Sequence, residues 1–399
     1  MLNREFTRRE VLRAGAGSLI LLPGMSVAGS ILAACGPGSG TTTTTGTGRG
    51  PDPAAELAKV ASGQVLSKGP NGETAAAATS VSLTPDEIAK IKAMNATAAI
   101  VLHIAGSDWS AAQVQGQKAR MAELGINLIA TTDANFVASK QVSDIETVLV
   151  RKPSIIISIP TDAVATASAY KKAADQGVKL VFMDNTPKGL VAGKDYVSDV
   201  SADNYGNGVA AGYAMAQAIN KTGKIGIVFF AVDFFVTNQR HDGFKATIQQ
   251  NYPDIQIVQE LGFSGSDLAG EAGKAASAIM TAHPDVKAIW AVWDQPADGV
   301  IAAARAANRQ DLIVITEDLG LAAAVSLASG GFIKGLGAQR PYDQGVTEVT
   351  LAGYGLLGKT APPYVALPPL PVTKANVLQA WQDVYHVAPP DQLKAAYKP

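Results

Sequence analysis

Ala98-Ala99-Ile100-Val101-Leu102-His103-Ile104, followed at once by Ala105-Gly106-Ser107-Asp108-Trp109 and a helical stretch over Ser110–Leu124, decides the fold. The run does not alternate apolar with polar residues. Continuous hydrophobicity of this length marks a strand covered on both faces, as in a parallel sheet flanked by helices. Similar runs recur at Asn127–Thr131, Ser154–Ile159, Lys179–Met183, Lys224–Phe230, Ile255–Glu260, Ala288–Trp293, Leu312–Thr316 and Lys334–Ala338. Between them lie helical stretches over Val164–Gln176, Tyr205–Asn220, Arg240–Asn251, Ala269–His283 and Pro296–Ala307. Alternation repeated this often predicts an α/β, doubly wound architecture. It falls in two similar blocks, Ala98–Ser201 and Tyr205 onward, and a chain with about 300 ordered residues usually divides into domains, so two lobes are expected. Just upstream, Ser82-Leu83-Thr84-Pro85-Asp86-Glu87-Ile88 predicts a helix start, with a Thr cap, Pro at the first position and acids in the first turn.

The N-terminus reads differently. A basic start (Arg4, Arg8, Arg9, Arg13) precedes an apolar, Gly-rich run from Ala14 to Ala34, the order of a secretory signal. Gly15, Gly17, Pro23, Gly24 and Gly29 break the run, which disfavours a membrane span. Leu32-Ala33-Ala34-Cys35 resembles the end of a lipoprotein signal peptide, which implies that residues 1–34 are removed and that Cys35 is lipidated. Thr7-Arg8-Arg9-Glu10-Val11-Leu12-Arg13 resembles the twin-arginine signal, with Val11 where that motif usually has Phe. Residues 35–80 are expected to be a lipid anchor and flexible linker. Gly36 to about Pro53 is Gly, Ser, Thr and Pro with little to bury, giving a reach of roughly 20–25 Å, and residues 54–80 are Ala-rich and weakly helical at best. The expected location is the outer face of the cytoplasmic membrane, at the cell surface or in the periplasm.

Composition narrows the partners. Losing residues 1–34 removes four Arg and two Glu and leaves a net charge near −3, without the basic surface that nucleic acid requires. No later segment offers about 18 uninterrupted apolar residues, so the body is expected to be soluble. Cys35 is the only cysteine, so no intramolecular disulfide and no cysteine metal site are expected. His103, His241, His283 and His386 are scattered without ligand spacing. Neither a metal nor a cofactor is expected.

Ligands of open α/β sheets bind beyond the carboxyl ends of the strands, so function is sought in the residues that follow each run. Those positions carry Asp108-Trp109, Pro160-Thr161-Asp162, Asp184-Asn185, Asp233-Phe234-Phe235 with Asn238-Gln239-Arg240, Trp293-Asp294-Gln295, Glu317-Asp318 and Gln339-Arg340. Carboxylates accept from paired hydroxyls, Arg donates a planar fork and amides do both. Flat rings cover the C–H faces of a sugar. The set suits a small polyhydroxy ligand. Asp162 and Asp203 also read as helix caps, and Trp290, inside a strand, reads as core. Arg240 is expected to open a helix, where a cation opposes the dipole, which points to a functional reason for it, with a salt bridge to Asp242 or Asp233 as the alternative.

The order Asp184-Asn185, Ser201-Ala202-Asp203-Asn204, Asn238-Gln239-Arg240-His241-Asp242-Gly243-Phe244, Thr281-Ala282-His283-Pro284-Asp285, Trp293-Asp294, Glu317-Asp318 and Gln339 resembles the periplasmic sugar-binding proteins of ABC importers, type I, of the ribose/galactose branch. The resemblance covers about residues 96–370. It implies two Rossmann-like lobes joined by a three-crossover hinge, 81–202 plus 340–368 and 203–339 plus 369–399, closing on ligand. It implies ligand-binding roles for Trp109, Asp184, Arg240, Asp318 and Gln339, with Asn185 in place of a common arginine. Asp108, Phe235 and Asp294 join the candidate set from the same strand-end loops. Trp293 stands where Asn is usual and Glu317 where an aromatic is usual, which implies a monosaccharide other than ribose, or a sugar alcohol. A permease of an ABC transporter is the implied partner, and a monomer is expected. A nucleoside-binding or sensory receptor of the same fold, and a carboxylate-based carbohydrate enzyme, remain alternatives.

Overall fold

The computed structural model describes residues 48–62 and 64–398. The signal 1–34, Cys35 and the tether up to residue 47 lie outside the described residues. All nine apolar runs form strands, and two sheets share them. The first holds β1 (Ala76–Ala77), β2 (Thr97–Leu102), β3 (Asn127–Asp133), β4 (Ile155–Ser158), β5 (Lys179–Met183), β6 (Ser198–Ala202) and, from far along the chain, β12 (Tyr364–Leu367). Its order is β1-β12-β6-β5-β4-β2-β3, parallel throughout. The second holds β7 (Gly223–Phe230), β8 (Ile255–Phe263), β9 (Ala288–Ala291), β10 (Ile313–Glu317), β11 (Ile333–Ala338) and β13 (Leu370–Val372), in the order β13-β11-β10-β9-β7-β8. Only β13 runs antiparallel to its neighbour there.

The burial of β2 explains its sequence. Ala98, Ile100 and Leu102 enter the core shared with the helix Asp108–Leu124, while Ala99 and Val101 enter the core against the helices Ala138–Val150 and Ala167–Asp175. Both faces are dry, so no polar residue can alternate. The Thr84 cap is present as a full capping box, Thr84 accepting from Glu87 N and Glu87 reaching back to Thr84 N, with Pro85 opening the helix.

The chain passes between the sheets at 202–204, at 338–341 and at 367–370, the last through Pro368-Pro369 alone. A fourth passage was not expected. Residues 48–80, read above as part of a linker, are built into the body. Arg49 pairs with Asp254 at 2.7 Å, and the helix Pro53–Ser62, with Leu57 buried, packs on the helix Asn204–Ala218 behind the second sheet. Leu66 N and Ser67 N then donate to the Asp203 carboxylate at 2.7 and 2.8 Å, and β1 adds itself to the first sheet beyond β12. Only one turn-length of apolar residues anchors that helix, so its sequence signal is faint. Among the described residues no helix is long and apolar enough to cross a membrane.

Candidate functional site

The carboxyl ends of the strands of both sheets face one cavity of about 80 Å³. Its centre is a hydrogen-bonded chain that runs from one lobe to the other. Asp184, directly after β5, accepts from Ser201 Oγ at 2.7 Å, and Ser201 Oγ in turn accepts from Asn204 Nδ2 at 3.0 Å. Asn204 Oδ1 accepts from Arg240 Nε at 2.9 Å. Arg240 Nη1 donates to Asp318 Oδ2 at 3.0 Å and to the Val292 carbonyl at 3.2 Å, and Gln339 Nε2 donates to Asp318 Oδ1 at 2.9 Å. Asp184 and Asp318 both sit on left-handed backbone, with φ of 61° and 64°. Each turns its carboxylate sharply off the strand end, a conformation that Asp tolerates better than most residues.

Arg240 lies in the second turn of the helix Phe235–Asn251, not at its opening. Its partners are Asp318 and Glu317 rather than Asp242 or Asp233. The helix approaches its neighbour closely at Gly208, where any Cβ would collide with the Arg240 carbonyl oxygen. That contact holds the guanidinium almost fully buried. Glu317 is fully buried beneath it, Oε2 lying 3.2 Å from Arg240 Nε. Burial pushes the Glu317 carboxyl well above its usual range, and Arg240 opposes the shift. Burial likewise pushes Asp184 up to about 6, against the pull of Ser201 and Arg240. Burial and the nearby Asp318 push Asp294 up to about 7.

Seven of the eleven expected binding residues line the cavity: Trp109, Asp184, Arg240, Trp293, Asp294, Asp318 and Gln339. Four do not. Asp108 reaches across the cleft instead, its Oδ2 accepting from Leu321 N of the other lobe at 2.8 Å, next to Gly320 N, which donates to Asp294 at 2.8 Å. Asn185 is buried away from the cavity, and neither of its side-chain amide atoms has a partner among the described residues. Phe235 begins its helix and packs against the core, so that Phe234 takes the lining position. Glu317 supports Arg240 from below. Asp203 is a helix cap, accepting from Gly206 N. Asp162 caps no helix but accepts from Val164 N and Ala165 N in the turn before the helix Ala167–Asp175. Trp290 is core, stacked on Phe244 at 4.8 Å.

Strand-end reasoning missed His103, Phe136 and Phe230, which line the cavity beside Phe234. His103 was absorbed into the apolar run Ala98–Ile104, and Phe136 lies three residues beyond β3. Burial pushes His103 down to about 3, so the ring is neutral, and its Nδ1 has no partner among the described residues. Among the described residues no cluster of His, Cys, Asp and Glu could hold a metal ion.

Residues 98–360 match the periplasmic binding protein domain family. This chain belongs to it. The binding protein is 25% identical over 264 residues to the ribose import binding protein of Salmonella typhimurium, covering 66% of this chain and 86% of that one. It is 27% identical over 264 residues to the D-apiose import binding protein of Actinobacillus succinogenes, covering 66% and 82%. A solute binding protein of an ABC transporter from Agrobacterium vitis, solved with α-D-tagatopyranose, superposes with a TM-score of 0.66 at 23% identity over 73% of this chain and 99% of that one. The fold is that of type I periplasmic binding proteins. The family and these relatives are solute-binding proteins, not enzymes.

Proposed function

We propose that this binding protein captures a monosaccharide or sugar alcohol between its lobes and delivers it to the permease of an ABC transporter. The observation that carries this reading is the unbroken chain Asp184–Ser201–Asn204–Arg240–Asp318–Gln339, which fixes two carboxylates, a guanidinium and an amide around one small cavity. Vicinal hydroxyls present donors and acceptors at that spacing, and a buried polar ring is bound only when such groups are all paired. The ribose and apiose importers among its relatives support the same class. A thermal-shift panel of monosaccharides, polyols and nucleosides tests it. A sugar or polyol at 100 times its Kd is expected to stabilise the folded state by about 2.7 kcal/mol. A panel in which only nucleosides shift the melting temperature refutes it.

The lipobox-like end at Cys35 supports a lipid anchor that keeps the receptor beside its permease. Cells fed labelled palmitate should incorporate it into the wild-type chain and not into Cys35→Ala. Label retained in the variant would refute the anchor.

A further inference from the structure

Strand order sorts the chemistry of the cleft. Counted from the hinge, the first sheet runs β12-β6-β5-β4-β2-β3 and the second β13-β11-β10-β9-β7-β8. Of the polar groups, Asp184 after β5, Gln339 after β11 and Asp318 after β10 line the cavity near the hinge, with Ser201 on β6 behind Asp184. Arg240 reaches in from the helix after β7, and Asp294 and Gln295 follow β9. The rings follow strands far from it: His103 after β2, Phe136 after β3, Phe230 and Phe234 at the end of β7, and Trp293 after β9.

These rings form one continuous wall. His103 and Phe136 meet at 4.7 Å, Phe136 and Phe234 at 6.3 Å, Phe234 and Phe230 at 6.2 Å, and Phe230 and Trp293 at 5.5 Å. Two hydroxyls beside the wall have already donated their protons, Thr237 Oγ1 to the Phe234 carbonyl and Ser107 Oγ to Ser110 Oγ, and keep only acceptor lone pairs. Phe136 also holds a left-handed backbone, φ 57°, which is unfavourable for a bulky side chain and marks a position where placing the ring outweighs local strain.

We propose that the cleft selects a sugar deoxygenated at the end remote from the hinge, of the 6-deoxyhexose class, with its hydroxyls on Asp184, Arg240, Asp318 and Gln339 and its methyl group against Phe136, Phe230 and Phe234. This rests on the sugar reading above. A hydroxyl placed against the carbon faces of Phe136, Phe230 and Phe234 gives up water without gaining a partner, at a cost of about 1–3 kcal/mol. A methyl group there gains burial instead.

Isothermal titration of the full-length chain with configuration-matched pairs tests the proposal: D-fucose against D-galactose, 6-deoxy-D-glucose against D-glucose, and L-rhamnose against L-mannose. In the pair that binds best, the deoxy sugar is expected to bind about 10- to 100-fold more tightly. Phe136→Asn supplies hydrogen-bonding groups at the wall in a residue that tolerates left-handed backbone. Losing the ring's packing on His103, Phe230 and Phe234 should lower its melting temperature without ligand, so the preference is measured at a temperature where the variant is folded. Its preference is expected to drop to within about threefold of unity, about the change that one new hydrogen bond to the hydroxyl makes. Equal or tighter binding of the parent hexose in every pair overturns the proposal and leaves the sugar reading intact, as does a pentose or polyol that outbinds every 6-deoxyhexose. A wild-type preference left unchanged in Phe136→Asn also overturns it. Failure of every sugar and polyol to bind overturns both.

Discussion

Arg240→Met should lower the unfolding free energy by about 3–5 kcal/mol and abolish ligand binding, because the guanidinium is the counter-charge of a buried carboxylate and, on the proposed function, also a ligand donor. Its side chain is 4% exposed and Glu317 beneath it is fully buried. Methionine fills similar volume but leaves Glu317 without a charge partner and Asn204 Oδ1 and the Val292 carbonyl without donors. The Glu317 carboxyl would then be pushed still further up. A folded-state pKa raised above the unfolded value gives stability that is present at low pH and lost as pH rises, so the deficit should be smallest near pH 4–5 and largest above pH 7. Adding Glu317→Gln removes the stranded charge and should restore most of the stability without restoring binding. Urea unfolding of wild type, single and double variants across pH measures this. A single variant as stable as wild type at pH 7.5 would show that Glu317 does not depend on Arg240.

Asp184→Asn should have the second largest effect, and the two halves of that effect have opposite signs. Asn accepts φ 61° as readily as Asp does, and its Oδ1 can still accept from Ser201 Oγ, so the local backbone is kept. The native carboxyl, held near 6 by burial, favours its protonated form in the folded state. It therefore contributes stability below about pH 4 that disappears as pH rises through about 6. The substituted amide carries no such charge, so without ligand the variant should be more stable than wild type at pH 7.5, by up to about 3 kcal/mol, with a flatter pH profile. Part of the slope remains, from Asp294, pushed up to about 7, and from the buried Glu317, Asp199 and Glu348, pushed well above the usual carboxylate range. Ligand binding should move the other way. Loss of a charge-assisted acceptor costs about 1.5–3 kcal/mol, or roughly 10- to 150-fold in Kd. Wild-type affinity should rise between pH 5 and 7.5 as Asp184 ionises, and the variant's should change less. Calorimetry at the two pH values measures it, and a wild-type affinity flat over that range would exclude an ionised Asp184 as the acceptor.

Much of the architecture was legible because parallel strands buried on both faces leave no room for polar alternation. The strands that escaped are those in which burial and polarity coincide. Ser198-Asp199-Val200-Ser201-Ala202 reads as a loop, yet β6 is wholly buried, and its Ser201 belongs to the hydrogen-bonded chain of the cleft. β12 and β13 are only four and three residues long and flank two prolines, too short to show a period. In the site, residue types carried the polar half, since Asp, Arg and Gln at strand ends have few structural uses. They could not distinguish neighbours. Whether Phe234 or Phe235 faces the cavity depends on where the helix begins, and whether Glu317 or Asp318 meets ligand depends on a left-handed turn at Asp318. The aromatic half was hidden because Phe and His near apolar runs look like core.

The position of β12 has a consequence for how the chain is made. It lies between β1 and β6, pairing Ala76 with Val365 and Tyr364 with Asp199. A polypeptide leaving the ribosome N-terminus first therefore presents β2–β6 long before the strand that completes their sheet. Until residue 367 emerges, the edge of β6 has no partner and β1 has nowhere to dock. Contacts this distant in sequence carry a large loop-closure entropy and slow the final step. The whole second lobe, by contrast, has its β7–β11 framework synthesised without interruption. The lobe translated second thus has its framework ready first, and β1, which ties the N-terminal strap to the first sheet, has to wait for β12.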